Sequence, residues 1–272
     1  MGEMSGVNKT LYIPLCGKAM VSKKGIILKD PMAEMIWDKE GFVLKGKAKS
    51  KWLAYYMSMR AAVYDAWTKT QLEAHPDAVV LHLGCGMDSR CLRAGKNAKL
   101  WYDVDFPEVI KERMKYYPKS ERYQMIGADV CEKDWIDNVP RAAEAIVIME
   151  GISMYLPMRD LVELLSELKN HFGEMHLLMD AYTEFAVKAS KVKNPIKEVG
   201  AVAITGIDYP EYIAEQSGLT YVREHSMTPV KLIEELPKSE QKIFKTLYGG
   251  RMSRRLYRMY EYEQRFREWV HL

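Results

Sequence analysis

Between Ser50 and Ala74 (SKWLAYYMSMRAAVYDAWTKTQLEA) apolar residues recur at spacings of three and four, which predicts a long helix with a buried side. Upstream, Lys29-Asp30-Pro31 closes one segment and opens another, with Pro31 suited to the first turn of a helix through MAEMIWDKE. Residues 1–75 therefore read as mostly helical. From Ala78 onward the pattern changes to short apolar runs. VVLHLG (79–84), KLWYDVD (99–105), RYQMIGAD (122–129), EAIVIME (144–150) and EMHLLMD (174–180) are predicted strands. Their spacing of roughly 20–30 residues leaves room for helices between most of them, which implies a mostly parallel sheet with right-handed crossovers.

Beyond Asp180 the rhythm loosens. Residues 185–210, with Pro, Gly and several lysines, suit a loop or lid. A helix (PEYIAEQSG), a strand (LTYVREHSM) and an aromatic, alternating tail (RRLYRMYEYEQRF) follow. The tail predicts a last strand antiparallel to its neighbour. The expected organisation is one α/β domain over 1–272: a helical N-terminal cap (1–75), a core (76–182), and a lid-like segment with C-terminal strands (183–272).

Composition narrows the class. Apolar residues make up 48% and charged residues 28%, with a net charge of only +3, ordinary values for a globular chain with a real core. A nucleic-acid binder usually carries a stronger and more clustered basic excess. No apolar run approaches the ~20 residues of a membrane helix, and MGEMSGVNKT matches neither a secretion signal nor a myristoylation pattern, since Gly6 stands where Ser or Thr is needed. The four cysteines (Cys16, Cys85, Cys91, Cys131) form no C-x-x-C pair, and no histidine sits at zinc-ligand spacing. A cytoplasmic chain with reduced thiols and no metal is expected.

The first strand stops on Gly84-Cys85-Gly86, where the absence of a Cβ lets a ligand approach the backbone. The dinucleotide fingerprint needs a third glycine where Ser89 stands, and the phosphate-loop pattern is absent as well. Asp88 adds negative charge where either motif would seat a phosphate. An acid beside a glycine turn suits a cationic ligand, and S-adenosylmethionine, with an amine and a sulfonium but no phosphate, fits. Asp105 ends the second strand nineteen residues after Gly86, placed to accept from a ribose diol, with Asp103 as the fallback. Asp129 could accept from an adenine amino group while the Val130 N–H donates to a ring nitrogen. Each of these acids equally suits a helix cap. Glu150 and Tyr155 follow the fourth strand and overlook the same crevice.

LHLGCGMDSRCLRAG, WYDVDFPEVI, GADVCEKDW and MEGISMYLP resemble the leucine carboxyl methyltransferase family, a class I methyltransferase group that includes O-methyltransferases of polyketide synthesis. The resemblance extends upstream through IPLCGKAMVSKKGIILKDPMAEMI and YYMSMRAAVYDAW. It implies a Rossmann-like class I sheet that binds S-adenosylmethionine. Arg60 would bind the methionine carboxylate, helped by Lys18. Gly84 and Gly86 would form the cofactor turn, shaped by Asp88 and Arg90. Asp105 would take the ribose, Asp129 and Val130 the adenine. Glu150 would face the amino-acid end, and Tyr155 would line the transfer pocket.

Methyl transfer from a sulfonium mainly requires an in-line, dry acceptor. A carboxylate is already ionised at neutral pH, whereas a phenol, with a pKa of about 10, benefits from a base. No histidine occupies a strand end: His82 and His176 fall inside strands and His171 precedes one, so no catalytic base is named. The expected activity is O-methylation of a small-molecule hydroxyl or carboxylate. The alternatives are methylation of a protein C-terminal carboxylate, a nucleic-acid methyltransferase, and a cofactor-binding protein without catalysis. Lysines 45, 47, 49 and 51 and the basic, aromatic tail would serve nucleic acid, but Glu261, Glu263 and Glu268 interrupt that tail. Neither nucleic acid nor membrane is an expected partner.

Overall fold

The computed structural model describes residues 6–41, 49–192 and 203–264. Three helices come first: α1 (Gly6–Lys24), α2 (Pro31–Glu40) and α3 (Lys51–Ala74). The start of α2 is capped by Asp30, whose side chain accepts from the Ala33 N–H, with Pro31 in the first turn. Gly41 closes that helix at φ 61°, in the left-handed region. Helix α3 buries Tyr55, Met59, Tyr64 and Trp67 along one side, and Arg60 and Asp65 are buried with them.

Seven strands follow: β1 (Val79–Leu83), β2 (Leu100–Asp105), β3 (Tyr123–Gly127), β4 (Glu144–Met149), β5 (Glu174–Tyr182), β6 (Thr220–His225) and β7 (Tyr257–Gln264). Their order in the sheet is β3-β2-β1-β4-β5-β7-β6. β1 to β5 are parallel, while β7 lies antiparallel between β5 and β6. Strand β1 is buried throughout and β4 from Ala145 to Met149, as their continuous apolar runs require in a sheet covered on both faces. The chain order reverses between β1 and β4, so a crevice opens at their carboxyl ends.

The connections within the sheet are α4 (Arg90–Arg93), α5 (Pro107–Arg113), a 3-10 turn over Lys133–Asn138, and α6 (Met158–His171). Helix α6 packs Leu161, Leu164, Leu165 and Leu168 against the face of β1 that carries Val79, Leu81 and Leu83. The opposite face of β1, with Val80, packs against α3. After β5 come α7 (Glu184–Val192), α8 (Pro210–Ser217), α9 (Val230–Ile233), α10 (Lys238–Tyr248) and α11 (Arg251–Arg254). The loop expected from residue 185 begins instead as helix α7, because Ala186 and Val187 bury in its first turn. The middle of the expected lid, 193–202, lies outside the described residues.

Candidate functional site

A cavity of about 820 Å³ opens over the carboxyl ends of β1, β2, β4 and β5, a size typical of small-molecule sites. Gly84 and Gly86, at φ 64° and 51°, turn the chain away from β1. A Cβ on Gly84 would stand 2.0 Å from Ile152 Cγ2, so the turn after β1 and the turn after β4 pack against each other only because Gly84 lacks a side chain. Lys18, Arg60, Gly84, Gly86, Asp88, Asp105, Asp129, Val130, Glu150 and Tyr155 all line the cavity. The structure thus brings these ten expected residues to one place, whereas Arg90, expected to shape the turn, is fully buried and does not line the cavity.

The carboxylate of Asp105 is fixed by two backbone donors. The Gly86 N–H donates to Oδ2 at 2.7 Å and the Phe106 N–H to Oδ1 at 2.8 Å. Each oxygen keeps a second lone pair, which is what a ribose diol requires. Burial pushes the Asp105 pKa up to about 6 despite these donors. Asp103 does different work: its carboxylate is fully buried, takes Arg113 Nε at 2.9 Å and Trp101 Nε1 at 2.8 Å, and does not line the cavity. Asp129 faces the cavity and also accepts the Cys131 N–H at 2.9 Å, so turn formation and exposure to a ligand coexist there.

At the amino-acid end of the expected cofactor site lies a closed network of charges. Lys18 meets Asp88 at 2.7 Å; Arg93 meets Asp30, Asp65 and Asp88; Arg90 meets Asp65, Asp88 and Glu150; Arg60 meets Glu150 at 2.9 Å and Asp180 at 3.0 Å. When all are ionised, five carboxylates face four cations. Burial works against ionisation of Glu150, but Arg90 and Arg60 outweigh it and hold its pKa well below the usual range. Asp88 is held down in the same way by Arg93, Lys18 and Arg90. Asp180 is the exception: burial raises its pKa, and Arg60 does not fully compensate. S-adenosylmethionine carries one net positive charge, so it complements a network with one carboxylate in excess. On charge, on the Gly84 turn and on the Asp105 geometry, these residues fit that cofactor.

Asp180 and Tyr257 escape the sequence reading. Tyr257 Oη donates to Asp180 Oδ2 at 2.8 Å, and both hold Arg60 Nη1. Asp180 had a visible signal, since EMHLLMD ends on an acid as β2 does. Asp30, Asp65 and Arg93 sit at or within helices and had none. Arg90 lies over His82, whose Nε2 accepts from Nη1 at 3.2 Å, which leaves Nδ1 to donate to Asp103. Burial lowers the His82 pKa, consistent with that neutral tautomer and with a core role. His171 is half-buried and contacts the Val139 carbonyl at 2.9 Å rather than lying free on the surface.

The same cavity is also lined by Leu53, Tyr56, Met57, Tyr182, Leu247 and Tyr248. Burial raises the pKa of Tyr155 and of Tyr182, so both hydroxyls stay protonated as donors. The Cys131 thiol is pushed up to about 11, also by burial, and is no nucleophile at neutral pH.

A leucine carboxyl methyltransferase family model matches residues 13–169. TcmP, an O-methyltransferase of tetracenomycin polyketide synthesis from Streptomyces glaucescens, is 33% identical over 233 residues, 84% of this chain and 86% of that protein. The S-adenosyl-L-methionine-dependent methyltransferase dpfgK of Gibberella zeae is 29% identical over 188 residues, 63% of each chain. Among solved structures, a candidate methyltransferase of Thermobifida fusca shares the fold with a TM-score of 0.56 at 14% identity, over 86% of this chain and 87% of that one.

Proposed function

The chain belongs to the leucine carboxyl methyltransferase family and is an S-adenosylmethionine-dependent methyltransferase, and from that premise we propose that it methylates an oxygen of an aromatic, polyketide-type small molecule. The observation that carries this reading is the set of aromatic and aliphatic side chains, Leu53, Tyr56, Met57, Tyr182, Leu247 and Tyr248, that line the same cavity as the expected cofactor residues. The TcmP relative, an enzyme of polyketide synthesis, supports it.

When bound, the cofactor supplies an activated methyl group on its sulfonium. In this reading Asp105 holds the ribose, Asp129 and the Val130 N–H flank the adenine, and Gly84 and Gly86 let the ligand approach the turn. Glu150 and Asp88 would neutralise the ammonium end, and Lys18 and Arg60, the cations in the cavity wall among the described residues, would meet the methionine carboxylate. Tyr155 and Tyr182, kept protonated, orient the acceptor by donating to it.

Among the described residues the lining offers no histidine free to act as a base for a neutral phenol. Among the described residues His82 is the one histidine in the wall, and it is spent on Arg90 and Asp103. The arrangement therefore favours an acceptor that is ionised without help, a carboxylate or an acidic phenol. Among the described residues no helix is long and apolar enough to cross a membrane.

The test is transfer of labelled methyl from the cofactor to aromatic acids, phenols of matched shape, and a peptide ending in leucine. Label in an alkali-labile ester of an aromatic acid is the expected result. Label in the peptide alone would replace this reading with C-terminal carboxyl methylation.

A further inference from the structure

The amino ends of the parallel strands, opposite the cavity, gather a second group of side chains. His75 is the C-cap of α3, its backbone N–H bound to the Gln71 carbonyl at 2.7 Å. Glu174 and His176 stand two apart on β5 and so project from one face of the strand. A ring nitrogen of each histidine and a carboxylate oxygen of Glu174 all lie within 4.8 Å of one another. The two imidazole rings sit 4.1 Å apart, centroid to centroid.

His176 is only 7% exposed, and its Nε2 has no hydrogen-bond partner among the described residues. A buried polar atom without a partner bears its full desolvation cost, unless something outside the chain supplies the missing contact. A donor hydrogen bond would satisfy it, but so would a cation, and the surroundings are acidic. Glu144 pairs with Glu174 across β4 and β5, and Glu263 stands opposite His176 on β7. Glu144 Oε2 also lies 3.4 Å from His75 Nδ1.

We propose that His75, Glu174 and His176 form a binding site for a divalent transition-metal ion, zinc being the best match, that ties the end of α3 to β5. Two imidazoles and one carboxylate are a recurrent zinc donor set, with a fourth position left to water or Glu144. Zinc ligands sit about 2 Å from the ion, so the three donors must draw together. His75 and Glu174 are only half-buried and have room to turn, whereas His176 is fixed by its burial. Glu144, beside Nδ1 of His75, would hold that imidazole in place, as outer carboxylates do for metal-bound histidines. None of the three donors lines the cavity. The role is therefore structural: α3 carries Arg60 and β5 carries Asp180, and the ion would pin the far ends of the two elements that meet in the charge network.

The experiment uses the full chain after chelator treatment, titrated calorimetrically with zinc chloride and melted with and without one equivalent. The expected result is one saturable equivalent at micromolar concentration and a raised Tm. Both effects should disappear in His176→Ala and in His75→Ala, while Glu144→Gln weakens binding by about ten- to a hundred-fold. His75 is partly exposed, so its variant keeps the test decisive if His176→Ala does not fold. Absence of zinc binding by the folded wild type would overturn the site. So would binding unchanged in His75→Ala, or binding abolished by cysteine alkylation but retained in both histidine variants.

Discussion

In the proposed role of Asp105 two demands meet at one residue: it would have to be buried enough to meet the cofactor and ionised enough to hold it. Burial raises its pKa to about 6, against the pull of the Gly86 and Phe106 N–H groups. Between about pH 4, where an unfolded aspartate titrates, and about 6, the folded chain holds a proton that the unfolded chain releases. The contribution of this residue to stability therefore falls as pH rises through that window. Ribose hydroxyls donate to the ionised carboxylate, so cofactor binding should release a proton near pH 6 and none near pH 8. Calorimetry in two buffers of different ionisation enthalpy reads this directly, and Asp105→Asn should abolish both the proton release and most of the affinity. Gly84 makes a steric demand instead. Alanine there meets Ile152 at 2.0 Å in a left-handed backbone that itself costs a side chain roughly 1–2 kcal/mol. Gly84→Ala should lower the urea midpoint and abolish cofactor binding; a variant that binds normally would show that the two turns do not need their close approach. Position on a strand end made Asp105 readable from sequence. What separates it from Asp103 is a tertiary partner, Arg113, that spacing does not reveal.

Helix α4 is only four residues long, yet it delivers Arg90 and Arg93 to carboxylates from α3 and from the cap of α2. Arg93→Met leaves Asp30 and Asp65 short of a cation in a buried setting, a change that costs about 3–5 kcal/mol where one partner of a buried pair is lost. Equilibrium urea unfolding should show that loss; a change under about 1 kcal/mol would mean Arg90 alone holds the group together. The elements themselves were largely legible. Spacings of three and four marked α3, Asp30-Pro31 marked the start of α2, and short β-rich or alternating runs marked all seven strands. Two stretches were not. Residues 185–192 carry Lys and Ser among their apolar positions, and helix α7 buries a narrow side beneath β5. Between 230 and 254, Pro237 and the Gly249-Gly250 pair cut the chain into pieces too short for a period to register, although Ile233, Leu236 and Phe244 are buried. The histidine pair fails for a related reason: His75 and His176 are neighbours only after β5 is laid beside β4, so no local spacing announces them.

At the scale of the molecule, the cavity is assembled from distant parts of the chain: Leu11 and Lys18 on α1, Arg60 on α3, the strand ends, Ala186 and Ala189 on α7, and Leu247 with Tyr257 near the end. That assembly explains why the part of the lining at the strand ends was legible and the rest was not. The former rests on strand ends, which the sheet aligns by rule, while the remaining wall depends on how helices without such a rule pack over it. It also makes the N-terminal helices part of the site, since α1 makes one wall and Lys18 anchors it to Asp88. Binding S-adenosylhomocysteine at about a hundred times its Kd should add about 2.7 kcal/mol of stability, and the distribution of that gain is the informative quantity. Hydrogen exchange should slow at the carboxyl ends of β1, β2 and β4 and, together with them, along α1 from residue 11 to residue 18. In Lys18→Met the strand ends should keep their protection while α1 loses it. Protection confined to the sheet in the wild type would mean that α1 merely covers the crevice, and that the amino-acid end of the cofactor is held by α3 and β4 alone.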